Sequence, residues 1–231
     1  MLALIRSTAP TSLRRVYAVS DLHTDYEENL AWVDALQEDQ QGVLLVAGDV
    51  SDKLDRFVRT MESLVNKYAL VFFTPGNHDL WLRRDGSEGA DSLQKMQRLE
   101  SACDALGVLT TPQRLNMEIG RTLSILPLLS FYHESFDTEP AVTALRLPSV
   151  RRVMADYRAC SWPAPLSMGG EDLAGHIDAM NDVQLARAAT QAEGRDFIQP
   201  IESWDGARQG GASVVSFSHF LPRIELIPEK R

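Results

Sequence analysis

Three short apolar runs alternate with three longer segments of helical period in the first half of the 231-residue chain. The apolar runs are continuous, as in strands buried on both faces, whereas the longer segments repeat their apolar residues every three or four positions. This order predicts a mainly parallel sheet with helices packed on it. The predicted strands are 16–20, 43–47 and 69–74, and the predicted helices are 26–39, 54–65 and 91–106.

The second half of the chain has a weaker pattern. A strand is predicted over 122–129, where Pro127 indicates a sheet edge or the end of the strand. A helix is predicted over 178–198 and a last strand over 213–218. The segment 131–175 between them is irregular and rich in Pro, Trp and Gly, and it is either a specificity cap over a site or a plain surface excursion.

A single domain accounts for these elements. No segment resembles an interdomain linker, so we expect one domain over residues 15–231, preceded by a flexible N-terminus at 1–14. Hydrophobic residues make up 44% of the chain and charged residues 24%, which is enough apolar material for a sizeable core.

Charge and hydrophobicity limit the classes of partner. The formal net charge of −9 disfavours a general nucleic-acid binder, because such proteins usually present a basic surface. No apolar stretch is long enough to cross a membrane, so no membrane partner is expected.

The two cysteines, Cys103 and Cys160, lie far apart in the sequence. We interpret them as free thiols in a reducing compartment, and we expect a cytoplasmic protein. The first 15 residues contain three arginines and no acidic residue, which resembles the end of an organelle transit peptide, so targeting to an organelle is the alternative.

Polar clusters follow the three early strands and the last strand. In an open α/β sheet the carboxyl ends of the strands form the ligand crevice, so we expect these clusters to converge there. The clusters offer carboxylate, amide and imidazole groups from Asp21, His23, Asp49, Asn77, His78 and His219.

These residue types are typical of a metal site. Imidazole together with carboxylate favours Zn²⁺, Fe or Mn²⁺, whereas an all-oxygen site would favour Mg²⁺ or Ca²⁺. An aspartate such as Asp49 can bridge two cations with its two oxygens. Gly48 and Gly76 allow the backbone to turn tightly where the strands end.

The order of the motifs resembles that of the calcineurin-like metallophosphoesterase superfamily. The motifs are DLH at 21–23, GDVSD at 48–52, GNHD at 76–79 and SFSHFLP at 216–222. Longer stretches that contain them, such as VSDLHTDYEEN, LLVAGDVSD and FFTPGNHDLW, resemble a plant and algal branch of that superfamily. The likeness extends over nearly the whole chain from Arg15.

The resemblance implies an α/β fold, namely a β-sandwich of two mixed sheets flanked by helices, and a centre of two divalent or trivalent ions (Mn, Fe or Zn). Asp21, His23 and Asp49 would hold one ion. Asp49, Asn77 and His219 would hold the other, with Asp49 as the bridge.

The resemblance also implies a reaction. A hydroxide shared by the two ions would attack the phosphorus of a phosphomonoester or phosphodiester, carried by a small molecule or a phosphoprotein. His78 would stabilise the transition state or protonate the leaving oxygen, and Asp79 would orient His78.

One motif of the superfamily is absent from this sequence. A Gly-His-x-His motif is expected downstream of His219, where each histidine would add one metal ligand, yet no histidine follows that position. We therefore expect a domain that is incomplete at its C-terminus and lacks its last strands. The alternative function is a truncated, weakly active or inactive member that acts as a metal-binding or protein-binding module.

Several other residues have simpler interpretations. The remaining histidines, His133 and His176, are predicted to line a pocket wall and to lie on the surface near a helix start, respectively. Asp52 is predicted to cap the helix that follows it. Arg83 and Arg84 could contact a phosphate, but they are interpreted as solvated loop residues. The four tryptophans, among them Trp81, are interpreted as packing residues.

Overall fold

Two β-sheets form the centre of the molecule. The computed structural model describes residues 13–82, 90–138, 140, 148–193, 195 and 197–226. The first sheet has the order β1-β2-β3, and the second has the order β6-β4-β5-β7. The seven strands are β1 (Arg15–Val19), β2 (Asp39–Ala47), β3 (Tyr68–Thr74), β4 (Gln113–Asn116), β5 (Thr122–Pro127), β6 (Ile198–Pro200) and β7 (Ser213–Phe217).

Helices connect and cover these strands. Two of them are the crossovers of the first sheet, and a third follows β3. The α-helices are α1 (Glu27–Ala35), α2 (Leu54–Lys67), α3 (Ser92–Leu106), α4 (Val150–Val153), α5 (Asp156–Ala159) and α6 (Glu171–Ala192). The Asp91 side chain caps α3 by accepting a hydrogen bond from the Gln94 amide, and Gly107 ends the helix at a positive φ of 75°.

Alternate residues of the first sheet enter two different cores. Leu45 and Phe72 face the second sheet and pack with Leu115 and Ile125. Residues on the opposite face pack against the helices, in a cluster that includes Leu44, Val46, Phe57, Phe73, Met96 and Leu99. Burial on both faces explains why the early strands are continuous apolar runs.

The expected α/β architecture of two sheets with helices is therefore present. The pairing differs in one detail, because β1-β2 and β2-β3 are both parallel, so that within the described residues only the second sheet is mixed. Pro127 ends β5, as one interpretation predicted. It does not mark a sheet edge, since β5 lies between β4 and β7.

Several predicted boundaries are wrong. The first helix ends at Ala35 rather than at residue 39, because the chain already pairs with β3 from Asp39. The helix predicted over 178–198 begins at Glu171 and ends at Ala192, and β6 follows it. Strands β4 and β6 were not predicted, because each is too short to show a period.

Two smaller expectations also change. The predicted flexible N-terminus is too long, because Leu13 is buried and the Arg14 amide donates a hydrogen bond to the Gln41 carbonyl; residues 1–12 lie outside the described part. Asp52 does not cap α2, since the N-cap residue is Lys53. Both cysteines are free, as predicted.

Candidate metal centre

The loops that follow β1 and β2 are joined by backbone hydrogen bonds. The Asp21 amide donates to the Gly48 carbonyl over 3.1 Å, and the His23 amide donates to the Asp49 carbonyl over 2.9 Å. Parallel pairing of β1 and β2 therefore continues into the loops. It brings the side chains of Asp21, His23 and Asp49 to the same end of the sheet, as the sequence predicted.

The same three residues have unusual backbone conformations. The φ angle is 54° at Asp21, 42° at His23 and 56° at Asp49. A positive φ is uncommon for residues other than glycine and costs free energy, so it persists only where the surroundings enforce it. Such strain at three neighbouring loop positions is typical of a functional site.

Asp79 helps to hold the backbone of Asp49 in this conformation. Its buried carboxylate accepts hydrogen bonds from the backbone amides of Asp49, Val50, Ser51 and Gly76, at 2.8 to 3.1 Å. Four donors fill the acceptor positions of a carboxylate. The prediction that Asp79 orients the His78 ring is therefore corrected: Asp79 positions the backbone of two loops.

At Gly48 and Gly76 the backbone passes too close to neighbouring atoms to leave room for a Cβ atom. A Cβ atom at Gly48 would lie 2.8 Å from the His219 Nδ1 atom, and the φ of Gly48 is +77°. A Cβ atom at Gly76 would overlap the Oδ1 atom of Asp49. These two glycines let the loops pass against the side chains of the site.

The first candidate metal position is the space between Asp21, His23 and the Oδ2 atom of Asp49, the set that the sequence predicted. The His23 Nε2 atom lies 3.8 Å from Asp21 Oδ1 and 3.8 Å from Asp49 Oδ2. The Asp21 side chain is 57% exposed, whereas that of Asp49 is 4% exposed. This position therefore opens to solvent on the side of Asp21.

The second candidate metal position is the space between Asn77, His219 and the Oδ1 atom of Asp49, the other set that the sequence predicted. The His219 Nε2 atom lies 3.5 Å from Asp49 Oδ1 and 3.2 Å from Asn77 Oδ1. The His219 Nδ1 atom lies 2.8 Å from the carbonyl oxygen of Ala47. With Nδ1 donating to that carbonyl, Nε2 is left as the acceptor that can bind a metal.

Asp156 holds Asn77 in place and was not predicted from the sequence. Its buried Oδ1 atom accepts hydrogen bonds from Asn77 Nδ2 over 2.6 Å and from the Trp81 indole over 2.8 Å. Because Nδ2 faces this carboxylate, Oδ1 of Asn77 faces the second metal position. This contact also shows that part of the irregular segment 131–175 belongs to the site.

The His78 imidazole has Asp49 near its Nε2 atom and the Trp81 ring stacked on its face. Its Nε2 atom is 3.9 Å from Asp49 Oδ2, and its backbone amide donates to Asp49 Oδ1 over 2.9 Å. The imidazole stacks on the Trp81 ring at a centroid distance of 3.5 Å and meets the His23 ring edge-on at 4.6 Å. Trp81 is therefore more than a packing residue, since it fixes the ring that faces the centre.

The arrangement fits two metal ions that share Asp49. Two overlapping triplets, His23–Asp49–His78 and Asp21–Asp49–His219, place their ligand atoms within 4.8 Å of one another. Nitrogen and oxygen ligands of Zn²⁺ lie about 2.0–2.2 Å from the ion, so atoms 3.2 to 3.8 Å apart can bind the same ion. The triplets differ from the predicted ligand sets, because His78 joins His23 and Asp49 in one of them and Asp21 joins Asp49 and His219 in the other.

The electrostatics of Asp49 favour a bound cation. Burial raises the pKa of Asp49 to about 6, and the nearby carboxylates of Asp21 and Asp156 act in the same direction, while His219 and the His78 amide oppose them. His219 and the His78 amide thus offset only part of the cost of ionising this buried carboxylate. Metal ions would supply further positive charge.

Comparison with known proteins agrees with this geometry. The family model for calcineurin-like phosphoesterases matches residues 14–174. The chain belongs to the calcineurin-like phosphoesterase family. The match includes the candidate site residues that follow the individual strands of the first sheet, and it ends before His219. As a member of this family, the chain is expected to use divalent metal ions, for which the His and Asp triplets are candidate ligands.

Two individual matches are to a protein of Mycobacterium tuberculosis. The acyl-carrier-protein phosphodiesterase PptH is 27% identical over 191 residues, which are 80% of this chain and 56% of that protein. This chain thus spans little more than half the length of that relative. The crystal structure of the phosphopantetheinyl hydrolase PptH covers 91% of this chain and 70% of that chain, with a TM-score of 0.61 and 24% identity, and supports the fold.

The other histidines lie apart from the metal positions. His133 lies 3.2 Å from the Asp178 carboxylate and 3.6 Å from that of Glu171, and it stacks on Phe136. His176 is exposed on α6, as a surface histidine should be. Arg83 and Arg84 lie outside the described residues. Within the described residues, no helix is both long and apolar enough to cross a membrane.

Proposed function

We propose that this chain is a metal-dependent phosphoesterase that hydrolyses a phosphodiester. The observation that carries the proposal is the position of Asp49, whose Oδ2 atom faces His23 while its Oδ1 atom faces His219. One buried carboxylate is thereby shared by two ligand sets, which is the arrangement that a two-metal hydrolase requires.

Each proposed ligand has a separate role. Asp21, His23 and Asp49 would hold the first ion, and Asp49, Asn77 and His219 would hold the second. When bound, two divalent cations supply a water of lowered pKa and offset the charge of the phosphate oxygens. Membership in the family supports this use of metals for the chain.

We assign the proton transfer to His78. Its Nε2 atom faces the metal positions, and the Trp81 ring holds the plane of the imidazole. A histidine in this place can donate a proton from Nε2 to the oxygen that leaves phosphorus, or stabilise the charge that develops there. The side chain is 30% exposed, so it can reach a substrate that enters from solvent.

The open side of the centre suits a phosphate group that is attached to a large molecule. Asp21, His23 and His78 are all partly exposed there. The acyl-carrier-protein phosphodiesterase relative supports a diester. The phosphopantetheinyl class, after which the hydrolase in the crystal structure is named, is the first candidate substrate. The net charge of −9 argues against nucleic acid.

Hydrolysis of bis(4-nitrophenyl) phosphate and of 4-nitrophenyl phosphate tests this function. The metal-stripped protein should be inactive, and Mn²⁺ or Zn²⁺ should restore cleavage of the diester at a higher rate than cleavage of the monoester. Activity that survives full metal removal would contradict the metal dependence. Faster cleavage of the monoester would overturn the assignment as a diesterase.

A further inference from the structure

An open cavity of about 590 Å³ is lined by residues of the segment between β5 and β6. Its walls come from α4, from α5 and from the residues around these helices, including Val150, Met154, Tyr157 and Met168. Cavities of this size are typical of small-molecule sites, and the walls of this one combine apolar side chains with polar and charged ones. The metal positions described above do not account for it.

The cavity adjoins the metal centre through Tyr132, which lines it. The Tyr132 ring packs on Phe220 at 4.5 Å, and Phe220 meets the His219 ring at 5.0 Å. Burial raises the pKa of Tyr132, and the charges of Asp156 and Asp49 add to this effect. The Tyr132 side chain therefore lies near the shared carboxylate of Asp49 and near Asp156, which holds Asn77.

Helix α5 provides a second connection. Asp156 holds the metal ligand Asn77, and the next residue, Tyr157, lines the cavity. Gly169 packs so closely on Tyr157 that a Cβ atom there would overlap the tyrosine hydroxyl. Two consecutive residues of α5 therefore contact different sites: Asp156 contacts Asn77 at the candidate metal centre, and Tyr157 contacts the cavity.

The chemistry of the walls favours a neutral, extended ligand. Val150, Met154 and Met168 offer apolar contacts, while the Arg151 guanidinium lies 5.5 Å above the Tyr157 ring. Acidic residues also line the cavity, so neither sign of charge prevails. An arm of methylene and amide groups matches walls that combine methionine, tyrosine and backbone.

We propose that this cavity binds the organic arm that is attached to the phosphate of the substrate. The inference rests on the phosphodiesterase function proposed above and names the part of the substrate that the enzyme recognises. The scissile phosphate would lie at the metal positions while the arm extends past Tyr132 toward Tyr157. Binding energy from such a remote arm raises kcat/KM for the ester that carries it.

Two esters with the same leaving group test this proposal. One is the 4-nitrophenyl ester of 4′-phosphopantetheine, and the other is 4-nitrophenyl methyl phosphate, which has no arm. The metal-loaded protein should cleave the first with a kcat/KM at least about 10-fold higher, since a few apolar contacts already discriminate by that factor. Equal kcat/KM values for the two esters would overturn the proposal.

Two variants of one helix provide the matched control. Val150 and Val153 both lie in α4, and their side chains are 55% and 58% exposed. Of these two valines, only Val150 lines the cavity. Val150→Trp should fill the cavity and abolish the preference for the ester with the arm, whereas Val153→Trp should retain it. Loss of the preference in both variants, or in neither, would contradict the proposed site.

Direct binding separates this inference from the proposed function. Calorimetry with pantetheine alone should detect binding to the unaltered protein and to Val153→Trp, and no binding to Val150→Trp. If neither ester is hydrolysed, the enzyme proposal fails, and this binding pattern would still establish the cavity as a ligand site. If both esters are hydrolysed equally and pantetheine does not bind, the cavity proposal fails alone.

Discussion

The two metal positions are supported in different ways. The first depends on neighbouring parallel strands, whose loops are joined by backbone hydrogen bonds and by the carboxylate of Asp79. The second depends on side chains brought from distant parts of the chain. Asn77 is held by Asp156, 79 residues away, and His219 is held by the Ala47 carbonyl, 172 residues away.

This difference indicates that the two positions can fail separately. The backbone of the first position forms with the sheet and has few independent ways to move. The second position requires that the segment with Asp156, between β5 and β6, and the loop with His219, after β7, both pack correctly against the first sheet. We therefore expect that substitutions in the supports of the second position weaken one ion, whereas changes at Asp49, or at the groups that position it, affect both.

The largest effect is expected for Asp49→Asn, which removes the bridging carboxylate. Both ions should bind weakly, and kcat/KM for bis(4-nitrophenyl) phosphate should fall by more than about 10³-fold, because even indirect supports of a metal contribute 10–100-fold. Metal content after dialysis and steady-state kinetics measure the two effects. The matched control is Asp55→Asn, an exposed residue of α2, which should change neither.

The stability of the metal-free variant shows whether this loss comes from misfolding. Burial raises the folded-state pKa of Asp49 to about 6, above its ordinary value of 3.8, so ionisation destabilises the fold as the pH rises from about 4 to about 6. At pH 7 metal-free Asp49→Asn should therefore melt at a higher temperature than the unaltered protein. This advantage should disappear near pH 4. A lower melting temperature at pH 7 would point to misfolding.

His78→Ala distinguishes a catalytic residue from a ligand. If His78 transfers a proton, kcat should fall about 10²–10⁴-fold while both ions remain bound with unchanged affinity. Isothermal calorimetry with Mn²⁺ and single-turnover kinetics measure the two quantities. Loss of one ion in this variant would instead make His78 a ligand of the first position, beside His23.

Gly76→Ala tests the close approach of the loops. The added methyl group would overlap Asp49 Oδ1 and displace the bridge, and a shift of about 1 Å can lower the rate by about 10²-fold. Gly175→Ala is the control, because nothing lies near a Cβ atom at that helical position. It should leave the activity unchanged and stabilise the fold by about 0.5–1 kcal/mol. Equal activities of the two variants would show that the contact is not needed.

The smallest effect is expected for Asp156→Asn, and it should be confined to the second position. Without the carboxylate, Asn77 can rotate its amide, so affinity for the second ion should fall about 10–100-fold. Affinity for the first ion should be unchanged, and calorimetric titration resolves the two binding steps. An equal loss at both positions would show that the two supports are not independent.

The sequence predicted that Asp21, His23 and Asp49 converge, and it did so for a physical reason. Continuous apolar runs such as 43–47 identify buried strands, and polar residues directly after parallel strands must meet at one edge. Asp21, His23 and Asp49 follow from these two rules. The positive φ angles at the three positions could not be predicted, because no glycine marks them.

Other features of the site leave little trace in the sequence. Asp156 lies in a segment without a regular period, so nothing places it beside Asn77. Asp79 stands next to His78 in the sequence, which suggested a partnership. Its carboxylate instead points to the amides of the loop that contains Asp49, an arrangement that depends on the path of the backbone.

The most direct test of a shared two-metal centre is anomalous X-ray diffraction from crystals grown with Mn²⁺. Two anomalous peaks are expected about 3.5–4 Å apart, a separation typical of two-metal sites, with the carboxylate of Asp49 between them. One peak should lie beside His23 and the other beside His219. A single peak, or two peaks that do not share Asp49, would contradict the central claim.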